Sequence, residues 1–265
     1  MYSKAQLALK FINYYLRAGN GRGHGIHSPF VFDFITKLLN DRQLYPEYSI
    51  AEQLRTGMKS DKRQVQVEDF GAGSALSKTN QRRISSIAQH AAKPPKLGQL
   101  LFRTIKKYQP QTIVELGTSL GITTTYLSLA KPDAKLITLE GAGEIANIAA
   151  QNFESLGLKN VELIKGNFDI SLPSVLDKLE KIDFAFIDGN HRQQPTENYF
   201  NLMLKKIHPG SILIFDDIHW SAEMEAAWYT IKSHPSVKCS IDLFFLGFVF
   251  FRTEFKERQE FVIRF

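Results

Sequence analysis

The sequence predicts an α/β fold: a mostly parallel sheet covered on both faces by helices, ended by an antiparallel hairpin and preceded by a mainly helical N-terminal extension. Three observations predict it. Short apolar runs alternate with segments whose apolar residues recur every three or four positions between residues 112 and 231. The runs are short and mainly apolar rather than alternating, as strands buried on both faces are. Past residue 240, Ile241 to Phe244 and Phe248 to Phe251 flank Gly247 with no room for a helix, which predicts a hairpin.

Taken in order, Leu7, Phe11, Tyr14 and Tyr15 suggest a first helix and Phe30 to Leu39 a second, with the basic, glycine-rich stretch 19–25 as a loop between them. Residues 59–83 show little periodicity, and the boundary falls near residue 90. This gives an extension over 1–90 and a domain over 91–265. A strand, Thr112 to Leu116, stops at Gly117; helical material follows to Ala130, where Lys131-Pro132 breaks it. Leu136 to Leu139 is the next strand. Ile145, Ile148, Ala149, Phe153 and Leu156 mark a helix ended by Gly157. Val161 to Ile164, Ile182 to Ile187 and Ile212 to Phe215 are further strands. Tyr199, Leu202, Met203 and Ile207 form one helical stripe, and Met224, Ala227, Trp228 and Ile231 another.

The chain of 265 residues, 43% hydrophobic and 23% charged, is long enough to bury a core without staples. Its longest apolar run, Leu243 to Phe251, is less than half a bilayer span, so no membrane partner is expected. The first sixteen residues carry Lys4 and Lys10 and no small-residue cleavage site, so no signal peptide is expected. Cys239 is the only cysteine, which excludes an intrachain disulfide and a cysteine-based zinc cluster. A cytoplasmic enzyme or binding protein is expected. Residues 1–110 hold 18 Lys and Arg against 7 Asp and Glu, leaving 15 against 20 in the remainder. The basic half could face nucleic acid, an anionic surface, an acidic substrate, or only solvent and its own acidic half.

Two glycine-rich turns compete for a nucleotide-type cofactor: Asp69 to Ser74, and Glu115 to Gly121. Such a site needs a strand entering the turn, a helix leaving it, and a carboxylate at the end of the next strand to grip ribose hydroxyls. No acidic residue lies between Ser74 and Glu115, whereas Glu140 ends the strand after the second turn. The second turn reads E-x-G-x-x-x-G. Ser119 stands where a dinucleotide fold wants a glycine for close approach to pyrophosphate. S-adenosylmethionine has no phosphate and so needs no such approach, and Glu115 can help hold its cationic centre.

Gly98-Gln99-Leu100-Leu101 followed by Val114-Glu115-Leu116-Gly117 resembles the class I methyltransferases related to catechol and caffeoyl-CoA O-methyltransferases. The resemblance covers roughly residues 90–252. It implies a Rossmann-like seven-stranded sheet with a final antiparallel hairpin. For the cofactor it implies Gln99 on the preceding helix, Gly117, Thr118, Ser119, Gly121 and Thr123 around the methionine tail, Glu140 on the ribose, and Gly166 and Asn167 near adenine, with Asp188 also in reach.

At the carboxyl ends of two later strands lie Ile187-Asp188-Gly189-Asn190-His191 and Phe215-Asp216-Asp217-Ile218-His219-Trp220. Three carboxylates at one sheet edge are costly unless something cationic joins them, and oxygen-only donors favour Mg²⁺ or another hard divalent cation. In metal-dependent relatives an Asp and an Asp-Asn pair occupy these places. Asp188, Asp216 and Asp217 match them, with Asp217 in place of the Asn. The resemblance also puts the general base, a Lys in the family, three residues after the first Asp. His191 stands there, with Asp188 beside it as a catalytic partner and His219 as second choice for the base. His24, His27, Pro29 and Phe30 suggest a lid, an oligomer contact or plain packing. Trp220 suggests a wall for an aromatic acceptor, and Trp228 belongs to an apolar stripe.

The expected activity is O-methylation of a small hydroxyl acceptor by S-adenosylmethionine, with a homodimer as the default assembly. Three alternatives stay open: an RNA or protein methyltransferase, an aminopropyltransferase of the same fold, and a non-catalytic nucleoside-binding protein.

Overall fold

The structure, a computed structural model, describes residues 1–67, 81–90 and 93–265. The rejected glycine turn, Asp69 to Ser74, lies outside the described residues. The chain forms two compact units, one made of residues 1–42 with 179–265 and the other of residues 43–178.

The first segment carries helix α1 (Lys4–Arg17), opened by a capping box in which the Ser3 side chain accepts from the Gln6 amide and the Gln6 side chain accepts from the Ser3 amide. Helix α2 (Pro29–Phe34), with proline in its first turn, runs into a π-helical turn over Ile35–Leu39. Both helices fall where the apolar spacing put them.

The unit of residues 43–178 begins with helix α3 (Glu47–Ser60), a short antiparallel pair β1 (Gln64–Gln66) and β2 (Gln81–Arg83), and helices α4 (Ile84–His90) and α5 (Pro95–Tyr108). Then β3 (Thr112–Leu116), α6 (Ile122–Ala130), β4 (Lys135–Glu140), α7 (Gly143–Ser155), β5 (Val161–Lys165) and α8 (Phe168–Asp177) follow. Strand β4 lies between β3 and β5, and both pairings are parallel. Helix α5 ends on Gln109 at φ +51, and Pro110 after it prevents continuation. Gly98 lets α5 approach α6: a Cβ there would stand 2.6 Å from the Tyr126 ring. Helices α3 and α8 were not anticipated. Helix α8 carries Pro173 in its interior and buries Leu172, Val175 and Leu176.

The other unit continues with β6 (Phe184–Ile187), α9 (Gln193–Met203), β7 (Ile212–Asp216), α10 (Ala222–Ser233), β8 (Cys239–Asp242), β9 (Leu246–Phe250) and β10 (Gln259–Val262). Its strand order is β10-β8-β9-β7-β6. The β6–β7 and β8–β10 pairs are parallel, whereas β9 runs antiparallel to both β7 and β8. The residues expected to be buried on α10, Met224, Ala227, Trp228 and Ile231, are the ones that are.

Two expectations need correction. Gly247 is not the hairpin turn: it lies inside β9, and the turn is made by residues 243–245, with Phe244 at φ +70. Glycine is required at 247 because a Cβ would stand 2.7 Å from the Trp228 indole. Besides the small β1–β2 pair the described residues form eight strands, not seven. The extra one, β10, alternates half-buried and exposed residues at the open edge of its unit, and so lacks the apolar run that marks β6, β7 and β9.

Helix α1 is anchored within its own unit. The Tyr14 hydroxyl donates to the Ile263 carbonyl, and Lys10 pairs with Glu225 at 2.9 Å. Phe30 meets Phe250 and Phe255 edge-on, so part of the suspected lid is packing. His24 and His27 are exposed. Among the described residues no helix is long and apolar enough to cross a membrane.

Candidate functional site

The turn after β3 is built from residues that tolerate positive φ. Gly117 (+99), Ser119 (+48) and Gly121 (+82) alternate with ordinary residues, coiling the chain tightly before α6 begins. At Gly121 a Cβ would also stand 2.5 Å from the Phe153 ring. The Gly117 and Thr118 amides donate to the Leu139 carbonyl at 2.9 and 3.2 Å, tying the turn to the end of β4.

Glu140, the last residue of β4, clasps the same turn. Its Oε2 accepts from the Ser119 amide at 2.7 Å and its Oε1 from the Ala142 amide at 2.9 Å. A carboxylate holding two amides is an anchored acceptor at the mouth of the turn. Beneath it Glu115 is fully buried, its Oε2 accepting from the hydroxyls of Thr124 (2.5 Å) and Thr138 (2.6 Å). Glu115 thus serves a hydroxyl network inside the unit, joined by Thr118 through Thr138 at 2.5 Å. Thr123 is buried in the first turn of α6, and Gln99 is half-buried on α5. Gly166, at φ +132, donates its amide to the Glu140 carbonyl at 2.9 Å. Asn167 caps α8 by accepting from the Asp169 amide.

In the other unit the strand ends carry charge. Asp188 follows β6, and two consecutive non-glycine residues in the left-handed region, Asn190 (φ +68) and His191 (φ +28), turn the chain back. His191 Nε2 lies 3.5 Å from Asp188 Oδ1, and its ring centroid lies 5.5 Å from that of Trp220. Asp216 ends β7 and is 1% exposed. Asp188, His191 and Asp216 each offer a donor atom within 4.8 Å of the others.

Asp217 is not in this group among the described residues. It sits at φ +53, its amide donating to the Phe245 carbonyl at 2.8 Å and its carbonyl accepting from Trp220 at 2.9 Å. The group of donor atoms is thus two aspartates and a histidine, where the sequence led to an expectation of three aspartates. Spacing along a strand could not show this. His219, the second candidate base, is committed elsewhere: Nε2 meets Asp242 at 2.8 Å and Nδ1 meets Glu225 at 3.1 Å. Burial alone would lower its pKa, but the two carboxylates outweigh burial and raise it.

Residues 114–218 match the family model of a methyltransferase domain. That segment starts in β3 and closes two residues after Asp216, so it contains both loops. The chain is 30% identical over 127 residues to a catechol O-methyltransferase of Niastella koreensis, covering 47% of this chain and 57% of that protein. It is 28% identical over 149 residues to a tRNA (guanine-N(7)-)-methyltransferase of Mycoplasma mobile, covering 50% and 74%. The chain thus spans little more than half the length of the first of these relatives. Among solved structures, an O-methyltransferase from Bacillus cereus in complex with SAH superposes with TM-score 0.56 at 20% identity, covering 83% of this chain and 97% of that one. An SAH-bound methyltransferase from Podospora anserina gives 0.58 at 13% identity over 85% and 97%. The Rossmann-like fold is shared with these structures, and the resemblance to catechol O-methyltransferases, first carried by the residues around Gly98 and Glu115, holds.

Proposed function

We propose, from this likeness to methyltransferases, that the chain transfers the sulfonium methyl of S-adenosylmethionine to an oxygen of a small hydroxyl acceptor. The observation that carries the reading is the clasp of Glu140 on the glycine turn. A carboxylate fixed at the end of the second strand is what a ribose diol requires, and Ser119 stands where a dinucleotide turn wants a glycine, its amide already donated to Glu140. The turn residues Gly117 to Thr123 hold the amino-acid tail, and Gly166 and Asn167 border the base.

In the reaction the sulfur–methyl bond breaks as the oxygen–methyl bond forms, and S-adenosylhomocysteine leaves. The acceptor must lose its proton. His191, half-buried and 3.5 Å from Asp188, takes that proton on its neutral imidazole, and Asp188 stabilises the resulting cation. Asp188 and Asp216 fit a divalent cation: two carboxylates grouped with an imidazole, one of them 1% exposed, form a donor set of the right composition. Such an ion would supply positive charge that acidifies a bound hydroxyl. A neutral imidazole has one acceptor nitrogen, so we assign His191 to the proton and the two aspartates to the ion.

A second reading, methylation of RNA, is favoured by the tRNA methyltransferase relative and by the basic N-terminal 110 residues. It predicts nucleic-acid binding that weakens steeply with salt. Calorimetric titration of S-adenosylhomocysteine into EDTA-treated protein, repeated with Mg²⁺, tests the leading reading. Binding that is lost in Glu140→Ala is expected; no binding in either buffer would overturn it.

A further inference from the structure

The loop of residues 188–192 places two successive non-glycine residues at positive φ, a conformation that costs of order 1–3 kcal/mol per residue and persists only when its surroundings over-determine it. Asparagine tolerates the left-handed region best, and histidine, though found there more often than most residues, still brings its Cβ close to the following carbonyl oxygen. Something must hold His191 there, and the side chain of the residue before it is the strap. Asn190 Nδ2 donates to the Tyr199 hydroxyl at 3.1 Å, and Asn190 Oδ1 accepts from Arg192 Nε at 3.1 Å. Tyr199 is 1% exposed on α9, so its hydroxyl is a fixed point, and α9 itself begins two residues after His191. The Thr196 hydroxyl donates to the Arg192 carbonyl at 2.8 Å, closing the loop onto the same helix.

We propose that Asn190 and Tyr199 are positioning residues: the bond between them holds the His191 backbone in the left-handed region, so that the imidazole faces Asp188 and Asp216. The inference rests on the reading of His191 as the proton acceptor, and it adds the device that aims it. An imidazole held in the proton-accepting geometry needs its rotamer and backbone fixed, since a displacement of about 1 Å can cost on the order of a hundredfold in rate.

Two conservative variants test it. Tyr199→Phe removes one buried oxygen and keeps the ring. Asn190→Gly removes the strap and leaves the backbone free to adopt positive φ without strain, so fold loss is not an outcome. Both should lower kcat about tenfold or more while KM for S-adenosylmethionine and the affinity for S-adenosylhomocysteine stay unchanged. At one fixed pH, the His191 imidazole cross-peaks, assigned by their absence in His191→Gln, should move in both variants away from the position set by Trp220. An Asn190→Gly protein with wild-type kcat and unmoved cross-peaks would overturn the proposal, leaving Asn190 as a residue that merely tolerates the turn. If the unmodified protein transfers no methyl group to any hydroxyl, the methyltransferase reading fails alone. The imidazole cross-peaks still decide whether the strap exists.

Discussion

The loop after β3 and the loop after β6 both leave buried strands through positive φ, yet they are stabilised in opposite ways. In the first, two glycines and one serine make the turn, and its acids are bonded to uncharged donors: Glu140 to two amides, Glu115 to two hydroxyls. In the second, asparagine and histidine adopt the strained conformation, and the acids face one another and an imidazole. A turn that only binds can be built at low strain. The loop proposed to react holds like charges and strained backbone together, conditions that favour chemistry over stability.

The largest effect that would sharpen this contrast is kinetic. His191→Ala should lower kcat by about 10² to 10⁴ while leaving affinity for S-adenosylhomocysteine intact. Quenched-flow turnover on a hydroxyl acceptor, beside calorimetry, gives both numbers, and unchanged kcat would remove His191 from the mechanism. Glu140→Ala should do the reverse. Removing the charged acceptor proposed for the ribose hydroxyls costs about 1.5–3 kcal/mol, roughly 10- to 150-fold in cofactor affinity by titration. If the two variants gave the same phenotype, the division of labour between the loops would be broken.

Stability should move in opposite directions. Gly121→Ala forces a Cβ onto φ +82 and to 2.5 Å from Phe153, and should cost about 2–3 kcal/mol in urea unfolding. Asp188→Asn removes one of two facing carboxylates and should raise the urea midpoint of ion-free protein, by about 1 kcal/mol in stability. A midpoint that falls in Asp188→Asn would show that the second loop is not under electrostatic tension.

The smallest effect belongs to the contacts behind the reacting loop. His219 has its pKa raised despite burial, through Asp242 and Glu225. Glu225 has its own lowered despite burial, through Lys10, Tyr2 and His219. The histidine contribution is full below its ordinary value of 6.5 and is lost as pH rises through the folded value. The Glu225 contribution is full above 4.5 and is lost as pH falls. The network is therefore strongest between those limits. The urea midpoint should fall between pH 6 and pH 9 by an amount worth under about 1 kcal/mol, and His219→Asn should abolish that part of the fall.

The sheet was legible because β3, β4, β6, β7 and β9 are short, mainly apolar runs, and the three main helical stripes because their buried residues recur at helical spacing. Helix α3 escaped because its 14 residues bury only Tyr48, Ala51 and Arg55. Arg55 is 4% exposed because Glu52 pairs with it at 2.9 Å, and a buried arginine looks polar to any pattern of hydrophobicity. Strand β10 escaped because its four residues alternate half-buried and exposed and none is fully buried. At the candidate site, Glu140 was legible from its place at a strand end. The exclusion of Asp217 and the commitment of His219 were not, since both follow from the chain reversing after β7 and meeting residues 242–245.

By itself, the sequence determined the α/β class, the choice between two glycine turns and the loops that carry the acids. Periodicity and glycine placement are local properties, set by strand and helix repeat and by backbone sterics. Only the tertiary structure decided which acids share a group, which histidine is tied to carboxylates, and why Gly98 and Gly247 carry no side chain. Those facts depend on contacts between residues far apart in the chain, such as Gly98 with Tyr126 and His219 with Asp242. Side-chain direction at the end of a strand is set by what the next turn packs against, which no spacing records.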